Sequence, residues 1–157
     1  DTIEHALKIN EQMPKYIASA IEENIQSQGL KKNVLVCGLS YKANVEDMRD
    51  SPSFKIIQEL KEKGFEIFGF DPFFNSDLTE KYLIENHISE LNFTKLENLD
   101  NENIKKVTCM CIVQHHDENK LRIKEIYDKS LIPFIYDCQS KLVKNSQSNS
   151  HLEFLGN

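Results

Sequence analysis

The chain has 157 residues, 39% hydrophobic and 28% charged, with a formal net charge of −6, which suits one compact globular domain with room for an extra element. A pI near 5.4 speaks against a nucleic-acid partner, because binding a phosphate backbone needs a basic face. No apolar run approaches the roughly 18 residues of a membrane span, and the start lacks the basic, apolar, small-residue order of a signal peptide; a cytoplasmic protein without a membrane partner is expected.

The opening DTIEHALKINEQ reads as an amphipathic helix with no obvious preceding cap, as if cut from inside a longer protein. Residues 2–28 are expected to form one helix, because Ile3, Leu7, Asn10, Pro14, Ile17 and Ile21 follow a 3-4 spacing that Ala6, Met13 and Ala20 widen. Pro14 lacks an N–H and its ring clashes with the Asn10 carbonyl, so a kink or a break is predicted there. Gly29 then closes the helix. Such a stripe must be covered, by the rest of the protein or by a second copy. Self-association through this helix, as a homodimer or higher homo-oligomer, is the expectation.

From Lys31 the period changes. NVLVCGL (33–39) is a short β-branched run suited to a buried parallel strand. After the loop SYKANVEDMRD, Ser51-Pro52 supplies an N-cap and a first-turn proline for the helix SFKIIQELKEKG. FEIFGFDP (65–72) is the next strand, ended by Asp71-Pro72. Strand, helix, strand over this length predicts a parallel βαβ unit with a right-handed crossover. Further on, the pattern predicts a helix from Ser76 to about Asn86, a weak strand near Leu91–Phe93 and a short helix over 96–104. A strong strand at 106–114, a helix at 117–130 and a last strand at 133–137 follow, with a polar tail expected to be loose until Leu152–Leu155. These alternations imply an α/β fold, a Rossmann-like, doubly wound, mainly parallel five-stranded sheet preceded by a long kinked helix. Ligands of such sheets bind at the carboxyl ends of the strands.

The first strand ends in a single glycine, Gly38, where a dinucleotide turn needs G-x-G-x-x-G. The loop carries Tyr41 and Lys42 instead, so NAD binding in the usual Rossmann manner is not expected here. Asp71 occupies the place where a Rossmann domain holds a ribose hydroxyl, and a strand-terminating turn explains it equally well. The adjacent His115 and His116 are poorly placed to share a metal, and surface or capping roles are expected for them; no metal site is expected. The four cysteines, Cys37, Cys109, Cys111 and Cys138, form no C-x-x-C pair and read as reduced thiols, the first three in the core.

The stretch G-L-x-Y-K-x-N-x-x-D-x-R-x-S-P, from Gly38 to Pro52, resembles the C-terminal domain of the UDP-glucose/GDP-mannose dehydrogenase family. FGFDPF resembles that family's second strand. Asn10, Met13, Pro14 and Tyr16 resemble its linking helix, in the form associated with oxidation of UDP-N-acetylhexosamines. The resemblance implies a linking helix over residues 1–30 and a nucleotide-sugar-binding domain over 31–157. It implies part of an NAD-dependent dehydrogenase that oxidises a UDP-sugar alcohol to the uronic acid through a cysteine thiohemiacetal and thioester. The family's NAD domain and nucleophilic cysteine lie upstream of its linking helix, so no catalytic residue is assigned and the chain alone is expected to be inactive. Lys42, with Tyr41, is implied to meet the nucleotide sugar. Arg49, oriented by Asp47, is implied to reach the NAD bound by the other domain. Where the family has D-x-R-N after its last strand, this chain has Asp137-Cys138-Gln139-Ser140, so Gln139 stands in uncharged for a substrate-binding arginine. Extracellular or capsular polysaccharide synthesis is the implied setting. Two other readings fit the fold: a non-catalytic ligand module of the coenzyme-A-binding type, and an assembly module with a vestigial site.

Overall fold

The structure is a computed structural model that describes residues 2–39, 51–72, 81, 84–85, 92–93, 96 and 99–156, with side chains of 2–11, 92–93 and 101 left aside. In chain order the elements are α1 (Thr2–Ser27), β1 (Asn33–Cys37), α2 (Pro52–Glu62), β2 (Glu66–Phe70), β3 (Asn92–Phe93), α3 (Asn101–Ile104), β4 (Cys109–Ile112), α4 (Lys120–Asp128), β5 (Phe134–Asp137) and β6 (His151–Phe154). The strands form one sheet in the order β3-β2-β1-β4-β5-β6, and each neighbouring pair is parallel. The Rossmann-like doubly wound fold is therefore present, widened by a sixth strand. The end of the tail, where the polar stretch gives way to Leu152–Leu155, supplies that strand, which the sequence reading does not include: Ile135 faces Leu152 and Asp137 faces Phe154.

Period-two alternation decides which side chain meets which helix layer. Val34, Val36, Cys109, Cys111, Phe134 and Tyr136 project to one face and pack with Ile17, Ile21 and Ile25 of α1 and with Phe54, Ile57 and Leu60 of α2. Leu35, Cys37, Met110, Ile112 and Ile135 project to the other face, against Ile123, Ile126 and Tyr127 of α4. Both faces are buried, which is why the strands read as continuous apolar runs. The topology reverses between β1 and β4, and that switch point is where ligand crevices open.

The first helix is a single element, as expected: it runs through Pro14 without a break, ending where Gly29 at φ +65 closes it. The Leu30 amide reaches the Ile25 carbonyl at 3.0 Å and the Gly29 amide reaches Gln26 at 3.2 Å, the paired bonds of a Schellman cap. The helix departs from expectation in its apolar stripe: Ile17 and Ile21 are not offered to another copy. They are 2% and 0% exposed and covered by their own domain. Ile21→Asp is accordingly expected to cost the fold about 3–5 kcal/mol, from a lost aliphatic side chain plus a buried carboxylate. Urea denaturation should show this as an early midpoint; an unchanged midpoint accompanied by dissociation of an oligomer would restore the intersubunit role.

Candidate functional site

Four strand exits converge beside the switch point. At β1, the Gly38 amide donates to the Phe70 carbonyl at 2.8 Å, and the Gly38 carbonyl accepts from the Ser53 hydroxyl. Gly38 has φ +92, and a Cβ there would stand 2.6 Å from Gln114 Cβ and 2.7 Å from its nitrogen. The glycine thus serves close approach of β1 to the β4 exit rather than approach of a ligand. Ser51 caps α2 by accepting from the Ser53 amide at 3.3 Å, with Pro52 in the first turn. Both ends of the loop read as the binding loop are therefore held in the core.

At the β2 exit, Asp71 is 2% exposed. One carboxylate oxygen accepts from the Leu39 amide at 2.8 Å and meets His116 Nε2 at 2.9 Å. At the β5 exit, Asp137 meets His115 Nε2 at 2.8 Å. Its other oxygen accepts from the amides of Lys141 and Leu142, both at 2.8 Å. The expectation of surface or capping histidines is corrected. His115 and His116 are 4% and 0% exposed, His115 held by Asp137 at the exit of the adjacent β5 and His116 by Asp71 at the exit of β2, on the far side of β1. No sequence periodicity joins residues 45 or 22 positions apart; only the parallel register brings these strand exits together.

Burial alone would raise the Asp137 pKa, but the bond and charge of His115 and the amides of Leu142 and Gln139 outweigh it, leaving the carboxyl below its ordinary range. Because the folded value lies below the unfolded one, the unfolded chain takes up the proton first on acidification. The stability that Asp137 contributes is thus complete at neutral pH and is lost as pH falls from about 4 through the lower folded value. Asp137→Asn is expected to be less stable by about 1–3 kcal/mol at neutral pH. The difference from wild type in urea midpoint should shrink in acid; a difference independent of pH would count against this carboxylate.

The sequence-derived site residues divide into two groups. Tyr41, Lys42, Asp47 and Arg49 lie outside the described residues. Gln139 sits at the β5 exit, its side-chain oxygen accepting from the His115 amide and its nitrogen donating to Gln114, both at 2.9 Å. Its amide braces the β4 and β5 exits together. Nearby, a cavity of about 400 Å³ lies between α1, the start of α2 and these exits, with Pro14, Lys55, Gln114 and Cys138 in its wall.

A dinucleotide cradle does not fit the described part of this crevice. Gln114 occupies the space against Gly38 that a pyrophosphate would need, and Asp71 is engaged with Leu39 and His116 rather than open to a ribose. Three of the thiols are equally unsuited to nucleophilic work. Burial, with the Asp71 charge, pushes Cys37 up to about 12, and burial raises Cys109. Cys138 is raised first by its contact with the Cys111 sulfur, 4.0 Å away. All four cysteines are free. Among the described residues, no three His, Cys, Asp or Glu side chains group as a metal site. No described helix is long and apolar enough to cross a membrane.

Over residues 35–144 the chain matches the UDP-glucose/GDP-mannose dehydrogenase family, UDP binding domain. It is 30% identical over 162 residues to a UDP-N-acetyl-D-mannosamine dehydrogenase of Methanococcus vannielii, covering 99% of this chain and 34% of the relative. It is also 30% identical over 139 residues to a UDP-glucose 6-dehydrogenase of Rickettsia conorii, covering 87% and 30% respectively. The fold matches a UDP-N-acetyl-mannosamine dehydrogenase of Staphylococcus aureus with a TM-score of 0.66 at 24% identity, over 96% of this chain and 32% of that one. A Pyrococcus horikoshii UDP-N-acetylmannosamine dehydrogenase gives 0.66 at 19% identity, over 95% and 32%. The chain spans about a third of the length of the curated relatives it matches.

Proposed function

Because this chain belongs to the UDP-glucose/GDP-mannose dehydrogenase family, we propose that it forms the nucleotide-sugar-binding portion of an NAD-dependent UDP-sugar 6-dehydrogenase. The sugar is a UDP-N-acetylhexosamine, N-acetylmannosamine foremost, with UDP-glucose second. The observation that carries the reading is the anchoring of the 40–50 loop. Gly38, Leu39, Ser51 and Ser53 tie its two ends into the core beside the switch point. A loop so held presents Lys42 and Tyr41 to the nucleotide sugar, while Arg49, steadied by Asp47, reaches the cofactor side. Two cations near the start of α2 reinforce the pull of its N-terminus on pyrophosphate oxygens. Gln139 takes the place of a charged contact and offers the substrate a neutral hydrogen bond. NAD is held chiefly by other parts of the enzyme, and the NAD-linked oxidation takes place outside this domain.

In the same reading residues 1–30 are a linking helix and 31–157 the binding domain. Copies pair through the α1 turns ahead of Pro14, which carry Ile3 and Leu7. The enzyme acts in the cytoplasm, supplying uronic acid sugars for polysaccharide synthesis. The test is NAD reduction by the full-length enzyme with UDP-N-acetylmannosamine and with UDP-glucose. Turnover of the first at higher kcat/KM is expected; no NAD reduction with either would refute the assignment.

A further inference from the structure

A parallel pair such as β5 and β6 is ordinarily joined by a crossover that carries a helix. Here residues 138–150 make the crossing without one. Where a helix would pack beside α4, a cavity of about 850 Å³ remains, between α4 and the crossing segment 141–146. That volume lies within the usual range for small-molecule sites. It opens on the α4 face of the sheet, away from the α1 and α2 layer.

Two buried polar side chains line it with hydrogen-bonding capacity to spare. His115 is 4% exposed and spends Nε2 on Asp137. Its Nδ1 has no partner among the described residues. Nδ1 accepts from a ligand hydroxyl when the ring is neutral with its proton on Nε2, and donates to one when the ring is charged; a hydroxyl, both donor and acceptor, satisfies either form. Tyr127 is 3% exposed; its hydroxyl oxygen accepts from the Asn145 amide at 2.9 Å, leaving the O–H proton to donate. Four lysines also line the cavity: Lys120, Lys124, Lys141 and Lys144. Asp117 and Asp128 neutralise Lys120 and Lys124. Lys141 and Lys144 have no carboxylate partner among the described residues; Lys144 lies only over the Phe154 ring, 5.9 Å from its centre. In a chain of net charge −6, two uncompensated cations beside one cavity mark a local anion preference.

The geometry points to a second ligand site, distinct from the UDP-sugar crevice, for a small hydroxylated phosphate ester. The ester's phosphate meets Lys141 and Lys144. A hydroxyl of the ester hydrogen-bonds His115 Nδ1, and another of its oxygens accepts from Tyr127. The apolar side chains of Ile123 and Leu142 cover the ligand's carbon frame.

The test is a titration of the chain with ribose phosphate and, separately, with inorganic phosphate, followed by backbone amide NMR shifts of 120–128 and 141–146. Saturable shifts are expected with both. Ribose phosphate should bind about ten-fold more tightly, because only it can use His115 and Tyr127. Lys141→Glu with Lys144→Glu, both exposed, should weaken both probes about ten-fold or more. Tyr127→Phe should erase most of the preference for ribose phosphate while leaving phosphate binding in place. Equal affinity for the two probes, with Tyr127→Phe silent, overturns the hydroxylated ester. Absence of saturable shifts, or shifts indifferent to the lysine variant, overturns the site. Lys42→Ala should leave all of these shifts unchanged, so failure of the UDP-sugar assignment and failure of this site are told apart.

Discussion

Replacing Lys42 with alanine in the full-length enzyme is expected to raise KM for the UDP sugar about ten- to hundred-fold with little change in kcat, as loss of a charge-assisted hydrogen bond of roughly 1.5–3 kcal/mol requires. Arg49→Ala should act on the other ligand, lowering kcat or NAD affinity more than it weakens sugar binding. Arg49→Lys should restore little, because a point charge cannot reproduce the planar fork of a guanidinium. Steady-state kinetics with each substrate varied in turn separates these effects. If both residues are ordinary loop charges, each alanine variant will stay within about two-fold of wild type in both kcat/KM values. A swapped pattern, with Lys42 governing NAD and Arg49 the sugar, would keep the loop as a lid and reverse the placement of the ligands.

Gly38→Ala should cost the fold about 3–5 kcal/mol, from a strained backbone together with overpacking that cannot relax. The added carbon would stand 2.6 Å from Gln114 Cβ, 2.7 Å from its nitrogen and 2.9 Å from its carbonyl oxygen, with φ at +92. Two of those three atoms are backbone. The backbone of Gly38 is pinned on both sides, by the Phe70 carbonyl and by the Ser53 hydroxyl. Against a typical domain stability of roughly 5–15 kcal/mol, such a loss moves a large fraction of the chain toward the unfolded state. Urea denaturation measures it directly. A change below about 1 kcal/mol would mean that β1 and the β4 exit can part, and that the close approach is not what requires glycine. The same variant would also release one anchor of the Lys42 loop. Any folded remainder should therefore show a raised KM for the UDP sugar.

The strands β1, β2, β4 and β5 were legible in the sequence because both faces of the sheet are buried, so β-branched and apolar side chains run without interruption. The α2 start was legible for a local reason as well: Ser51 and Pro52 carry their capping chemistry in adjacent positions. The family was legible from the residue identities between Gly38 and Pro52, with Tyr41, Lys42, Asp47 and Arg49 at their motif positions, because a long run of unusual residue types is seldom matched by chance. β6 was not. His151, Leu152, Glu153 and Phe154 form an edge strand with only Leu152 buried, and what specifies it is pairing with β5, ring stacking of His151 on Phe134 at 5.6 Å and the Asn24 bond to Glu153 at 2.6 Å. The fate of the α1 stripe was also beyond the sequence. An apolar helix face declares that it must be covered, and only the tertiary packing decided that Ile17 and Ile21 lie against their own sheet. The two aspartate–histidine pairs are the clearest case. Each joins residues from different strand exits, and a carboxylate and an imidazole carry no record of a distant partner. Parallel register and burial created those contacts: once the exits close over them, the low local dielectric makes an unbonded polar group costly, and each carboxylate is satisfied by an imidazole together with backbone amides.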